Sequence, residues 1–381
     1  MTMIRLQAAT LALLIGACSA SPSSGSKPAA SASGQPFTAK PIAQFTTPWA
    51  MAFLPGRANQ ALVTEKEGKL WLVDAASGQR QAVSGLPEVR VAGQGGLGDV
   101  MPGPNFARDN RVYLSFVEAG SGDTAGAAVG YGTLVTTGGA PRIDGFKVIW
   151  RQQPKVSGNG HFSHRILFAP DGRTMFLSSG ERQKFDPAQE LSGNLGKVLR
   201  LDLEGRAAPG NPWANRGGVA AEFWTIGHRN ILGLAFAPDG RLWESEMGPK
   251  GGDEINLIEA GQNYGWPIVS NGDHYDGRPI PDHPTRPDFA SPKVSWNPVI
   301  SPGGMIVYSG DLFPQWKGDI LQAALSGKAL VRVDLNGESA RKAEQWNMGA
   351  RIREVEQGPG GELFLLEDAP SGRLVRLTPS R

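Results

Sequence analysis

Ile166-Leu167-Phe168-Ala169-Pro170-Asp171-Gly172-Arg173-Thr174-Met175-Phe176-Leu177 is an apolar run broken once by a Pro-Asp-Gly turn, and Leu234-Ala235-Phe236-Ala237-Pro238-Asp239-Gly240-Arg241-Leu242-Trp243 repeats it. Proline presets φ, glycine accepts positive φ, and the flanking alternation gives each strand one apolar face, so each copy reads as a hairpin. Weaker copies run from Ala50 to Val73, from Gly98 to Phe116, from Met305 to Ala323 and from Val355 to Leu366. Six hairpins at intervals of roughly 50 to 70 residues, none able to bury its face alone, predict the blades of a propeller closed around an axis. The fold class expected is all-β, a six-bladed β-propeller; a β-sandwich with long insertions is the rival.

Composition agrees. Among 381 residues glycine (51) and proline (29) are plentiful, charged residues are 19%, and no long amphipathic helical pattern is visible. Lysine plus arginine (38) nearly cancels aspartate plus glutamate (36), and the basic residues are scattered, which argues against nucleic acid as a partner.

The N-terminus reads as an export signal over residues 1–18. Arg5 supplies positive charge, Leu6 to Ile15 is apolar, and Gly16 and Ala17 precede Cys18; the stretch is too short to span a membrane. Ile15-Gly16-Ala17-Cys18 resembles a bacterial lipobox, whose cysteine is lipidated and becomes the first mature residue. That predicts a periplasmic protein tethered to the outer membrane; the alternative is an ordinary cleaved signal that discards Cys18. Residues 19–36 are Ser, Ala, Gly, Pro and Lys with little to bury and read as a flexible tether, leaving 37–381 for the propeller. With Cys18 its single cysteine, the domain has no disulfide and rests on its core and any bound ions.

Several motifs carry chemistry. Gly93-Gln94-Gly95-Gly96-Leu97-Gly98 fits G-x-G-x-x-G, but a dinucleotide fingerprint must open a helix, and the Met101-Pro102-Gly103-Pro104 that follows forbids one. The run reads as a loop entering a blade, and nicotinamide binding is set aside. His161 and His164 form H-x-x-H; three apart on a strand they face opposite ways, and no suitable third ligand is near, so a zinc pair is set aside too. His161 then reads as a lone base or as a satisfied structural histidine.

Gly227-His228-Arg229-Asn230 is followed by Glu246-Met247-Gly248-Pro249-Lys250-Gly251-Gly252-Asp253-Glu254-Ile255-Asn256 and by Asn263-Tyr264-Gly265-Trp266-Pro267. Carboxylates, asparagines and turn carbonyls crowded on loops are hard oxygen donors suited to Ca²⁺, although polar turns also occur without a metal. Near the C-terminus Arg351-Ile352-Arg353 puts two guanidinium groups on one strand face, with Lys328 in an earlier blade. Such a pair repels unless an anion lies between, or else it is a solvated surface face.

Together these segments resemble the soluble family of glucose and aldose sugar dehydrogenases that use pyrroloquinoline quinone (PQQ), and its aldose branch more than its glucose branch. The match runs from about Pro41 to the C-terminus, and G-H-R-N, the Gly-Pro turn, D-E-I-N and N-Y-G-W-P stand in family order. The resemblance implies blades of four antiparallel strands with PQQ at the mouth of the axis. It implies His161 as general base with Arg229 beside it at the catalytic centre, and Gln94, Arg229, Asn230 and Trp296 as cofactor contacts. Lys328, Arg351 and Arg353 would receive the carboxylates of PQQ. The carbonyls of Gly248 and Pro249 would hold a calcium that bridges to PQQ, and Glu254 with the carbonyl of Tyr264 a further one. The implied partners are an aldose and an electron acceptor (quinone, cytochrome or dye), with the chain a monomer or homodimer.

One departure bears on specificity. In the glucose branch an aspartate that orients the base and touches the sugar precedes it; Gly160 stands here, so a broader aldose range is expected. Two other readings compete. A non-catalytic binding propeller would lack some of His161, Arg229, Lys328, Arg351 and Arg353, all of which are present. A calcium-dependent propeller lactonase would leave the converging cations without a role.

Overall fold

Residues 34–380 are described by a computed structural model; the export signal, Cys18 and nearly all of the tether lie outside the described residues. The Pro-Asp-Gly segments turn as expected: Gly172 and Gly240 adopt φ of 64° and 85°, a region open to glycine at little cost. Around them Ser163–Phe168 pairs antiparallel with Thr174–Ser179, and Ile231–Phe236 with Leu242–Glu246. The four weaker copies also close as hairpins: Pro48–Phe53 with Gln60–Glu65, Leu97–Pro102 with Arg111–Ala119, Pro302–Val307 with Ile320–Ala324, and Ile352–Gln357 with Leu363–Glu367.

Each hairpin acquires two further antiparallel strands, giving six four-stranded sheets, so the fold is an all-β six-bladed propeller. The chain enters each blade at its innermost strand and leaves at the rim. Blade 6 is the exception that closes the ring: its outermost strand is the N-terminal Phe37–Phe45, paired antiparallel with Gly372–Pro379 from Phe37↔Pro379 to Phe45↔Gly372. That closure ties the two ends of the domain through one ladder and removes the gap an open ring would leave.

Apolar clusters between blades form the core. Tyr113 and Val129 of blade 2 meet Met175, Leu177 and Leu199 of blade 3, and Trp243 and Ile255 of blade 4 meet Val331 and Val333 of blade 5. Burying each such side chain stabilises by about 1.5–3 kcal/mol.

At the axis the tie is polar. Arg165, on the inner strand of blade 3, lies 4.2 Å over the Trp49 ring of blade 1 and donates from Nε to Leu232 O of blade 4 at 2.8 Å. Its Nη1 meets Asp99 of blade 2 and Glu354 of blade 6. One buried guanidinium thus links five blades.

Candidate functional site

All six inner strands run the same way, so the loops leading into them gather on one face. There a cavity of about 330 Å³ is lined by Gln94, Asn230, Ser301, Arg351, Arg353 and Asp368 among others. Its wall includes the stacked rings of Trp49 and His164, 5.0 Å apart.

His161 stands beside this cavity in an unusual backbone. It does not lie on a strand; it precedes Ser163–Phe168, and His161, Ser163 and His164 all adopt left-handed φ (48°, 58° and 62°). Strain of this kind costs on the order of 1–3 kcal/mol per residue and needs surrounding groups to hold it. They are present: Gln94 Oε1 accepts the His161 N–H at 2.7 Å, and the buried Arg182 donates to the carbonyls of Gly158, Gly160 and Ala125 while stacking on Phe162.

The His161 ring is buried, and its Nδ1 is joined to Glu181 Oε1. Glu181 Oε2 in turn accepts the N–H groups of Lys184 and Phe185, at 2.5 and 2.7 Å. Burial holds the His161 pKa below the ordinary histidine value; Glu181 opposes that and the charges of Arg229 and Arg182 add to it. A neutral imidazole with Nδ1 donating to a carboxylate leaves Nε2 free to accept a proton. Glu181 carries no signal in the sequence, because twenty residues separate it from its partner.

His164 is a different residue altogether. It is buried against Trp49, its Nδ1 meets Ser115 Oγ at 2.7 Å, and burial lowers its pKa to about 3. The zinc pair is ruled out by this divergence, reached through a left-handed turn rather than through strand alternation.

Arg229 and Asn230 lead into the inner strand of blade 4. Arg229 Nη1 donates to Met247 O at 3.0 Å and to Gly248 O at 2.7 Å, while its buried Nε has no partner among the described residues. The Gly248-Pro249 turn is also pinned by Asp253, whose Oδ1 accepts Gly248 N–H and whose Oδ2 accepts those of Ile300 and Ser301. Burial pushes Asp253 up to about 6.

Arg351 and Arg353 both face the cavity, and the anion between them is supplied by the chain itself: Arg351 Nε lies 2.8 Å from Asp368 Oδ2 and Arg353 Nη2 2.8 Å from Asp368 Oδ1. Lys328 is exposed on the same face, in the turn that packs on Ile300 and Ser301. Trp296 lies on the outer strand of blade 4, Val294–Trp296, buried against Trp243 and Ile255 with Lys342 of blade 5 over its ring.

Beneath Arg229 the second and third strands of blade 4 bring carboxylates together. Glu246 lies opposite Glu254 and Glu244 opposite Asn256, all buried on one face of the sheet. His228, Glu244 and Glu246 place ligand-type atoms within 4.8 Å of one another, and the Tyr264 ring stacks on His228 at 4.7 Å. Glu254 Oε1 meets His283 Nε2 at 3.4 Å. Burial, together with repulsion from Glu246, holds Glu244 well above the usual carboxylate range, and Glu244 Oε2 has no partner among the described residues. This donor set has the charge and the unspent lone pairs that suit a hard divalent cation. The i, i+2 spacing of Glu244 and Glu246 in an apolar strand was the signal available in the sequence.

A closed ring of blades whose axial mouth combines a carboxylate-held histidine, a cationic wall and a buried acidic nest defines a propeller with an acid–base site at one end of its axis. The chain belongs to the glucose/sorbosone dehydrogenase family, whose profile matches residues 45–376. It is 37% identical over 337 residues to the aldose sugar dehydrogenase YliI of Escherichia coli, covering 87% of this chain and 90% of that one. A solved glucose dehydrogenase superposes with a TM-score of 0.85 at 42% identity, over 90% of this chain and all of the other. The PQQ-bound aldose sugar dehydrogenase of Streptomyces coelicolor superposes with a TM-score of 0.75 at 26% identity, over 90% and 98%.

Proposed function

We propose that this chain oxidises the C1 hydroxyl of aldoses to aldonolactones with PQQ and calcium. The observation that carries the reading is the buried His161–Glu181 pair beside a cavity walled by Arg351 and Arg353. The residues present fit a tricarboxylate quinone. Arg351, Arg353 and Lys328 would meet its carboxylates, Gln94, Arg229 and Asn230 its edges, and the partnerless Nε of Arg229 is a donor in want of an acceptor. When bound, the quinone supplies a two-electron acceptor for the hydride of C1.

The chain's own work is acid–base and positional. His161 Nε2 takes the proton of the C1 hydroxyl as the hydride leaves, and Glu181 holds the ring in the tautomer that can do so and stabilises the imidazolium formed. Gln94 and Arg182 keep the backbone of the base in its left-handed turn. Calcium would be held by the carbonyls of Gly248 and Pro249 and, at a further site, by Glu254 and Tyr264 O with Glu246 alongside. There it would relieve the repulsion among the buried carboxylates.

Export and lipid anchoring through Cys18 belong to the same proposal, because a periplasmic site gives access to external aldoses. Reconstitution decides the function. Purified apo protein given PQQ and Ca²⁺ should reduce a dye in the presence of an aldose panel and lose that turnover in His161→Ala; sustained turnover in the variant, or none in the wild type, rejects the assignment.

A further inference from the structure

The axis has a second cavity, also about 330 Å³, at the end away from His161. Its lining comes from the downstream ends of the inner strands, Phe168, Phe236, Val307 and Glu356 among them, and Leu232 borders both cavities. Apolar walls are provided by Met51, Met101, Phe168, Phe236 and Met305; Asp99, Arg165 and Glu354 lie at the inner end, and Glu356 lies two residues further along the strand of Glu354, nearer the outer end.

The charges there do not balance. Three carboxylates face one guanidinium, and Arg165 already serves Asp99 and Glu354. Glu354 is 5% exposed, and its Oε2, although close to Arg165 Nη1, accepts no aligned N–H. Glu356, half-buried, has no ion-pair partner among the described residues. Burial and the neighbouring carboxylates push Glu354 to about 7 and Glu356 well above its ordinary value, so a cation entering between them would displace protons and favour their ionised forms. A site whose carboxyls can ionise around a cation, and whose walls are phenylalanine and methionine, suits a cation with an apolar body, through ion pairing, cation–π contact and sulfur packing. A bare metal ion would find too few oxygen ligands among such walls.

We propose that this cavity binds a small organic ammonium ion, its nitrogen between Glu354 and Glu356 and its apolar part against Phe168, Phe236 and Met305. The inference is independent of the sugar dehydrogenase reading, because the two cavities lie at opposite ends of the axis.

Calorimetry on the apo full-length protein at pH 7 would compare benzylamine, charged at that pH, with the near-isosteric benzyl alcohol. The amine should bind at least tenfold more tightly. Its apparent enthalpy should differ between phosphate and Tris buffers, because entry of the cation expels protons from the glutamates. Glu356→Gln should weaken the amine about tenfold, and His161→Ala should leave its affinity unchanged. Equal affinity for amine and alcohol, no buffer dependence, or an unaltered affinity in folded Glu356→Gln would overturn the proposal. A loss in His161→Ala would do so as well, by moving the amine to the sugar site. The buffer comparison needs only wild-type protein, so a misfolded variant leaves the test standing.

Discussion

Glu181 holds His161 through Nδ1 although Gly160, immediately before the base, offers no side chain to do so. The orienting carboxylate therefore arrives from the next strand's exit loop, and Glu181→Gln should expose its role. A general base of this kind contributes about 10²–10⁴-fold, so kcat should fall by up to that factor with KM little changed. Because Glu181 raises the His161 pKa, its loss should also move the acid limb of the pH–rate profile to lower pH. A kcat within twofold of wild type would show that Glu181 is only structural.

Asp368 neutralises the two arginines that the cofactor reading needs. Arg351→Ala should weaken PQQ uptake more than it slows turnover at saturating PQQ, and Asp368→Asn should tighten uptake at low salt. For partly exposed charges the expected change is about 1 kcal/mol, or roughly fivefold in affinity. Titration of apo protein with PQQ, followed by its absorbance, reads both; weaker uptake in Asp368→Asn would mean that the aspartate serves to position the arginines.

Arg165→Met would strip the guanidinium from Asp99, Glu354 and Trp49 at once. Removing one partner of a buried ion pair costs about 3–5 kcal/mol, so the urea midpoint should fall markedly at pH 8. The pH dependence follows from Glu354, whose folded pKa is raised to about 7 from 4.5. Stability from its neutral form is complete below about pH 4.5 and is lost as pH rises through 7. The variant's deficit should therefore shrink at pH 5, and a deficit independent of pH would separate Arg165 from these carboxylates.

Gly98→Ala would place a Cβ 1.9 Å from His164 Cε1 and 2.4 Å from Nδ1. The ring cannot retreat, because Trp49 stacks on one side and Ser115 holds Nδ1. A destabilisation of about 1–3 kcal/mol is expected, with a shift in tryptophan fluorescence. An unchanged melting temperature would show that the axial stack can repack.

The blades were legible in the sequence because each is a local object. Pro170-Asp171-Gly172 and Pro238-Asp239-Gly240 turn the chain on themselves, and strand alternation on either side needs no distant partner to be recognised. His161, Arg229 and Arg353 could be singled out as residue types at telling spacings, and the fold does bring them to one mouth. That Trp296 would lie on the outermost strand of its blade could not be read locally, because a strand's rank within the sheet depends on the whole blade. Glu181, Asp368 and Glu244 were missed, and the pairing of Glu246 with Glu254 went unseen, for a related reason: their meaning lies in partners across strands.

What the sequence determined by itself is the repeat, its turns and therefore the ring, since backbone conformation and the need to bury one face per strand are set by neighbours along the chain. Only the tertiary structure decided which charges are paired and which are left wanting. It joined Glu181 to His161, spent Asp368 on Arg351 and Arg353, and left Glu356, at the far end of the axis, without an ion-pair partner among the described residues. Electrostatic energies depend on distance through space and on exclusion from water, and neither is written in the order of residues.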